Sequence, residues 1–113
     1  MLSRANRVVR AEDYRATVRR GRRIGTPHAM IYVASRGADD ASRFGFIVSK
    51  AVGNSVTRHR VTRRLRAIGR EALQVRPTGR DVIIRALSGS PEASWSTLQG
   101  EILDGLERSA SKQ

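Results

Sequence analysis

The chain contains no cysteine, which excludes a disulfide scaffold, a thiolate metal site and a cysteine nucleophile. Aromatic residues are almost as scarce: Tyr14, Tyr32, Phe44, Phe46 and Trp95 are the whole set. A hydrophobic fraction of 39% with 4% aromatics predicts a core of Val, Ile, Leu and Ala, with Trp95 among its helical members. No apolar run approaches the roughly 18 residues of a membrane span. The opening MLSRANRVVR lacks the apolar stretch of a signal peptide, so the expectation is a cytoplasmic protein with no membrane partner. The two histidines, His28 and His59, form no metal-ligand pattern. Ser49 and Lys50 are adjacent, and neighbours on a strand point to opposite faces, which argues against a Ser-Lys pair. With no phosphate-binding glycine loop either, the residues offer no catalytic constellation of their own.

Acid is the other shortage. Ten acidic residues stand against 22 basic ones, a formal net charge of +12 on 113 residues, the size of one domain. A compact domain so charged repels itself unless a polyanion neutralises it, and nucleic acid is the partner class this implies. Twenty of the basic residues are arginine, whose planar fork binds phosphate in bidentate fashion and stacks on bases. A GC-biased genome accounts for part of the preference for arginine over lysine, but not for the excess of base over acid. Residues 1 to 23 carry eight arginines against Glu12 and Asp13, and residues 41 to 70 carry eight basic residues and no acid. Residues 86 to 113 carry only Arg108 and Lys112 against Glu92, Glu101, Asp104 and Glu107, so a polyanion meets the first and central segments.

Residues 12 to 20 read as a short helix, with acids in the first turn, bases in the last and Gly21 after them. Residues 28 to 36 and 43 to 49 read as strands, paired as a hairpin across the GADD turn. Residues 55 to 74 read as a long amphipathic helix capped by Gly53, Asn54 and Ser55. At about 100° per residue, Val61, Leu65, Ile68 and Ala72 share one stripe, while His59, Arg63, Arg66 and Arg70 lie opposite. Arg58, Arg60 and Arg64 flank the stripe, where their stems can lie over the core edge. Residues 81 to 87, DVIIRAL, suit a central strand. A last helix is expected from Glu92 to Arg108, with residues 109–113 as a frayed tail. The order is α-β-β-α-β-α, an α+β sandwich.

The stretch FIVSKAVGNSVTRHRVTRRLR closely resembles the protein subunit of bacterial ribonuclease P. That family carries a strand ending in V-S-K, a G-N turn and a helix with the signature R-N-R-x-K-R-x-x-R. Here these fall on Val48-Ser49-Lys50, on Gly53-Asn54 and on the segment from Arg58 to Arg66. Arg58, Arg60, Arg63 and Arg66 match; His59 stands for the usual Asn and Thr62 for the usual Lys. Upstream, NRVVRAEDYRATVRRG is similar to the family's N-R-L-x-x-x-x-D-F segment, with Tyr14 for the usual Phe and Val18 where another aromatic is common.

The resemblance implies a two-layer α+β sandwich of α-β-β-β-α-β-α order around a small mixed sheet. It further implies a left-handed βαβ crossover, as in the second domain of a small-subunit ribosomal protein, and an additional short strand near residues 22 to 36. It implies a ribonucleoprotein endonuclease that removes the 5′ leader of precursor tRNA, the RNA subunit hydrolysing the bond with Mg²⁺, one protein per RNA. Contacts to the catalytic RNA would come from Asn54, Arg58, His59, Arg60, Arg63, Arg64, Arg66 and Arg70. The single-stranded leader would lie in a cleft holding Tyr14, Val18, Tyr32, Phe46 and Lys50. The competing expectation from charge and size is a ribosomal or other structural RNA-binding protein. A DNA reader fits less well, because one long helix between strands is not a helix-turn-helix.

Overall fold

The β-branched and aliphatic residues of the strands send side chains to both sides of one sheet, and both sides are covered. The computed structural model describes residues 2–111. The elements are α1 (Ala11–Arg20), β1 (Arg22–Gly25), β2 (Ala29–Ser35), β3 (Arg43–Ile47), α2 (Ser55–Val75), β4 (Arg80–Ala86) and α3 (Trp95–Ser111), with single 3-10 turns at Arg4–Asn6, Lys50–Val52 and Ser90–Glu92. The additional short strand is therefore β1. The last helix starts at Trp95 rather than Glu92, because Ser90–Glu92 is spent in a 3-10 turn around Pro91. Residues 109–111, expected as tail, continue α3, and Ser109 is buried with its hydroxyl donating to the Leu106 carbonyl at 2.6 Å. The rest of that tail lies outside the described residues.

The sheet order is β1-β2-β4-β3. β2 pairs antiparallel with β1 and with β4, whereas β3 runs parallel to β4. This corrects the expected hairpin between residues 28 to 36 and 43 to 49: β4 lies between those two strands. A strand entering α2 and leaving into a parallel neighbour needs a crossover, which a short turn cannot supply. The central place expected for residues 81 to 87 holds, and Val82, Ile83 and Ile84 are fully buried.

Alternation sorts the two faces. Ile31, Val33, Phe44, Val82 and Ile84 point to one side, where they meet Val61, Leu65, Ile68 and Ala72 of α2 and Leu98, Ile102 and Leu106 of α3. Tyr32 and Ile83 point to the other, beneath Val8, Tyr14 and Val18. The smaller face is tied down by charge. Arg43 donates from Nε and Nη2 to the two carboxylate oxygens of Asp81 at 2.8 and 2.7 Å. Its Nη1 lies 3.5 Å from Asp13 of α1, and Arg36 Nε lies 3.6 Å from Asp81. The Asp81 hydrogen bonds raise the affinity of Arg43 for its proton above the ordinary guanidinium value.

Gly45 sets how closely α1 approaches. A Cβ there would stand 2.7 Å from two ring carbons of Tyr14 and from Ile83 Cδ1. The expected result for Gly45→Ala is a loss of about 1–3 kcal/mol from overpacking, read as a lowered denaturation midpoint. A midpoint equal to the parent's would show that α1 can lift without cost.

Candidate nucleic-acid interface

The long helix begins at a side-chain cap. Asn54 Oδ1 accepts the Thr57 backbone N–H at 2.9 Å, satisfying one of the unpaired donors of the first turn. Gly53 precedes it at φ 155, with Thr57 Cγ2 only 2.9 Å from where a Cβ would stand. Asn54, read from the family pattern as an RNA contact, thus also sets where α2 starts.

From that start the stripe is as the sequence spacing requires. Val61, Leu65 and Ile68 are wholly buried, and His59, Arg60, Arg63, Arg66 and Arg70 are exposed. The flanking arginines divide. Arg64 Nη1 donates to the Ala93 carbonyl at 3.2 Å, bracing α2 against the chain that enters α3. Arg58 is half-buried, and its Nε has no hydrogen-bond partner among the described residues. Thr62 turns in on its own helix, its hydroxyl donating to the Arg58 carbonyl at 2.8 Å. The exposed members make a cationic face on a rigid support, suited to phosphate oxygens.

The expected leader cleft is only partly assembled. Tyr14, Arg15, Val18, Arg19 and Ile47 line an open apolar cleft between α1 and the end of β3. Tyr14 and Val18 therefore stand together as expected. Tyr32 belongs to the same face but is buried at 3% exposure. Phe46 is on the opposite face, packed with the α2 side of the core, because it shares the parity of Phe44. Lys50 is exposed in the 3-10 turn after β3.

The edge of β3 connects these parts. The N-terminal segment covers the first half of that edge through a parallel bridge between Arg7 and Phe44, with Val8 N–H donating to the Phe44 carbonyl at 2.9 Å. Beyond it, the Phe46 N–H donates to Tyr14 Oη at 3.3 Å. A second groove runs there, lined by Arg7, Val9, Tyr14, Phe46, Thr62 and Arg66. Tyr14 is common to both grooves, so the α1 cleft and the arginine helix form one surface across the strand edge. Arg15 and Arg19 follow from helical spacing beside Tyr14 and Val18, and sequence reasoning passed over them. Arg7 lies outside the helix, and its only sequence signal is the N-R pair that resembles the family's N-terminal segment.

At the far end of α2, Arg80 is buried with Arg76 nearby. Burial, then the Arg76 charge, lowers its pKa to about 10, which leaves it charged at neutral pH. Among the described residues, no three His, Asp or Glu side chains converge to hold a metal ion. None of the helices described is long and apolar enough to cross a membrane.

A sequence profile for Ribonuclease P matches residues 2–110. The ribonuclease P protein component of Clavibacter michiganensis is 49% identical over 109 residues, covering 96% of both chains. That of Rhodococcus jostii is 44% identical over 114 residues, covering 96% of this chain and 91% of its own. In fold, the chain is similar to the RNase P protein of Staphylococcus aureus, with a TM-score of 0.78 at 22% identity over 94% of this chain and 96% of that one. It is also similar to the RNase P protein of Thermotoga maritima, with a TM-score of 0.79 at 23% identity over 90% and 96%.

Proposed function

From the premise that this chain belongs to the ribonuclease P protein family, we propose that it binds the catalytic RNA and the 5′ leader of precursor tRNA, and so enables leader removal. The observation that carries the proposal is the continuous surface over the β3 edge. The exposed arginines of α2 offer charge for a folded RNA, and the Tyr14–Val18–Ile47 cleft offers an apolar, cation-flanked bed for a single strand. Tyr14 is the candidate stacking ring. Arg15, Arg19 and Lys50 would take the leader phosphates. In this reading phosphodiester hydrolysis falls to the RNA, as the resemblance to the family implies, and the protein's part is to bind and position. Mg²⁺ would be held by the RNA, where it supplies charge neutralisation and an activated water. One protein per RNA and a cytoplasmic setting complete the proposal.

Reconstitution tests it. The protein, a bacterial ribonuclease P RNA and a precursor tRNA are combined at low Mg²⁺, each component alone and then together. Cleavage at the mature 5′ end is expected only with all three. A folded protein that leaves RNA-alone cleavage unchanged would defeat the proposal.

Arg63 gives a residue-level check. It is exposed on α2, so Arg63→Ala should leave the unfolding free energy within about 0.5 kcal/mol. Affinity for the RNA should fall roughly tenfold at low salt, and the logarithmic salt slope should become shallower by about 1. Unfolding of the variant would show that Arg63 is not a free surface group.

A further inference from the structure

Among the described residues, Trp95 is the one large apolar side chain of α3 left exposed. Leu98, Ile102 and Leu106, on the same helical stripe, are buried at 0%, 0% and 3% exposure, while Trp95 remains 38% exposed. Its position is fixed from both sides. Ser94 Oγ accepts the Thr97 N–H at 3.1 Å and caps the first turn of α3, placing Trp95 at the helix start. The Arg64 guanidinium holds the Ala93 carbonyl at 3.2 Å, pinning the incoming chain to α2. The indole therefore closes one end of an open groove against the first half of α2. Val56, 76% exposed, and Ala67 supply apolar surface, and His59, Arg60 and Arg63 stand around it. This groove lies on the α3 flank of α2, whereas the groove holding Thr62 and Arg66 lies on the β3 flank.

Resting on the function proposed above, we infer that this groove takes one unpaired nucleobase of the catalytic RNA, stacked on the Trp95 indole, with its flanking phosphates on Arg60 and Arg63. An exposed indole beside three cationic or polar-aromatic side chains has the chemistry of a stacking platform. The ring supplies a π face that any base can match, and the guanidinium groups take the backbone on either side. The occupant is already unpaired, because extracting a base from a helix costs several kcal/mol that one ring contact does not return. It comes from the catalytic RNA because the groove opens on the flank of α2 away from the Tyr14 cleft.

The chain has a single tryptophan, so its indole fluorescence reports from this groove alone. The full-length protein is titrated with a bacterial ribonuclease P RNA, with complex formation followed independently by filter binding. Quenching should track complex formation and should not deepen when precursor tRNA is added. Trp95→Leu should weaken the complex roughly tenfold, and Trp95→Phe, which keeps a ring, should stay within about threefold of the parent. The salt slope should be unchanged in both, because no phosphate contact is lost. A complex that forms with unquenched fluorescence and with Trp95→Leu as tight as the parent overturns the inference and leaves the proposed function standing. Quenching that appears only with precursor tRNA overturns the assignment to the catalytic RNA. Failure to form the complex at all removes the functional proposal, and the inference with it.

Discussion

Raising the salt from 50 to 200 mM should weaken the complex with the catalytic RNA by roughly 10²- to 10⁴-fold, from a slope of log K against log salt of about −4 to −7. The estimate follows from the molecule's own cations. Arg58, Arg60, Arg63, Arg64, Arg66 and Arg70 project from one helix, no acid lies between residues 41 and 70, and Arg7 joins Arg66 across the β3 groove. Six to eight neutralised phosphates, each releasing about 0.7–0.9 of a counterion, give that slope. Filter binding over a salt series measures it. Circular dichroism at each salt guards the result, because a net charge of +12 is least screened at low ionic strength, where repulsion works against the fold. A slope near zero would mean that contacts other than charge hold the complex, and the role given to α2 would have to be abandoned.

Asp81→Ala should cost about 3–5 kcal/mol of folding free energy, a large part of the 5–15 kcal/mol a domain possesses. Asp81 is 8% exposed and receives Arg43 through two short hydrogen bonds, with Arg36 beside it. Its removal leaves two half-buried guanidiniums without their shared carboxylate, and only Arg43 keeps a counter-charge, Asp13 at 3.5 Å. The cost is mainly that of stranded cations rather than of one lost bond. Asp81→Asn keeps an acceptor oxygen for Arg43 and should lose less. Thermal unfolding at fixed sulfate concentration compares the two, with a fall of roughly 10–20 °C expected for the alanine variant. If both variants melt with the parent, the Asp81 carboxylate is not what holds Arg43 in place, and the smaller face is held by the remaining contacts of α1 with the sheet.

The parts of the fold readable from sequence are those that one element states by itself. The α2 stripe of Val61, Leu65, Ile68 and Ala72 is a property of one helix, and the Asn54 cap is local, so both stand where spacing put them. Strand partnership is not local. GADD between two apolar runs carries the signal of a hairpin, yet β4, nearly forty residues beyond that turn, comes between the runs. The same limit governs the site. Period two puts Phe44 and Phe46 on one face but does not say which face meets α1; Phe46 packs on the α2 side and meets Tyr14 only across the strand edge. Trp95 fits the apolar periodicity of α3, but its place at the first residue sets it beyond the sheet's cover, which periodicity does not encode. No sequence signal marks Gly45 as the seat of the Tyr14 ring.

The order β1-β2-β4-β3 also has a consequence in time. As the chain leaves the ribosome, β1 and β2 can pair at once, since Arg22 to Gly25 and Met30 to Val33 are joined by a tight turn. β3 emerges next with no strand to lie against, because its partner β4 begins only at Arg80. Until then the open edges of β2 and β3 and the bare apolar stripe of α2 are all exposed together, on a chain that is already strongly cationic. The last-made strand is thus the keystone: its arrival closes both edges and seats the helix in one event. A nascent chain halted before residue 80 should hold the β1–β2 hairpin and helical segments without the completed sheet. Such a species would be vulnerable to aggregation and to capture by whatever polyanion it meets first.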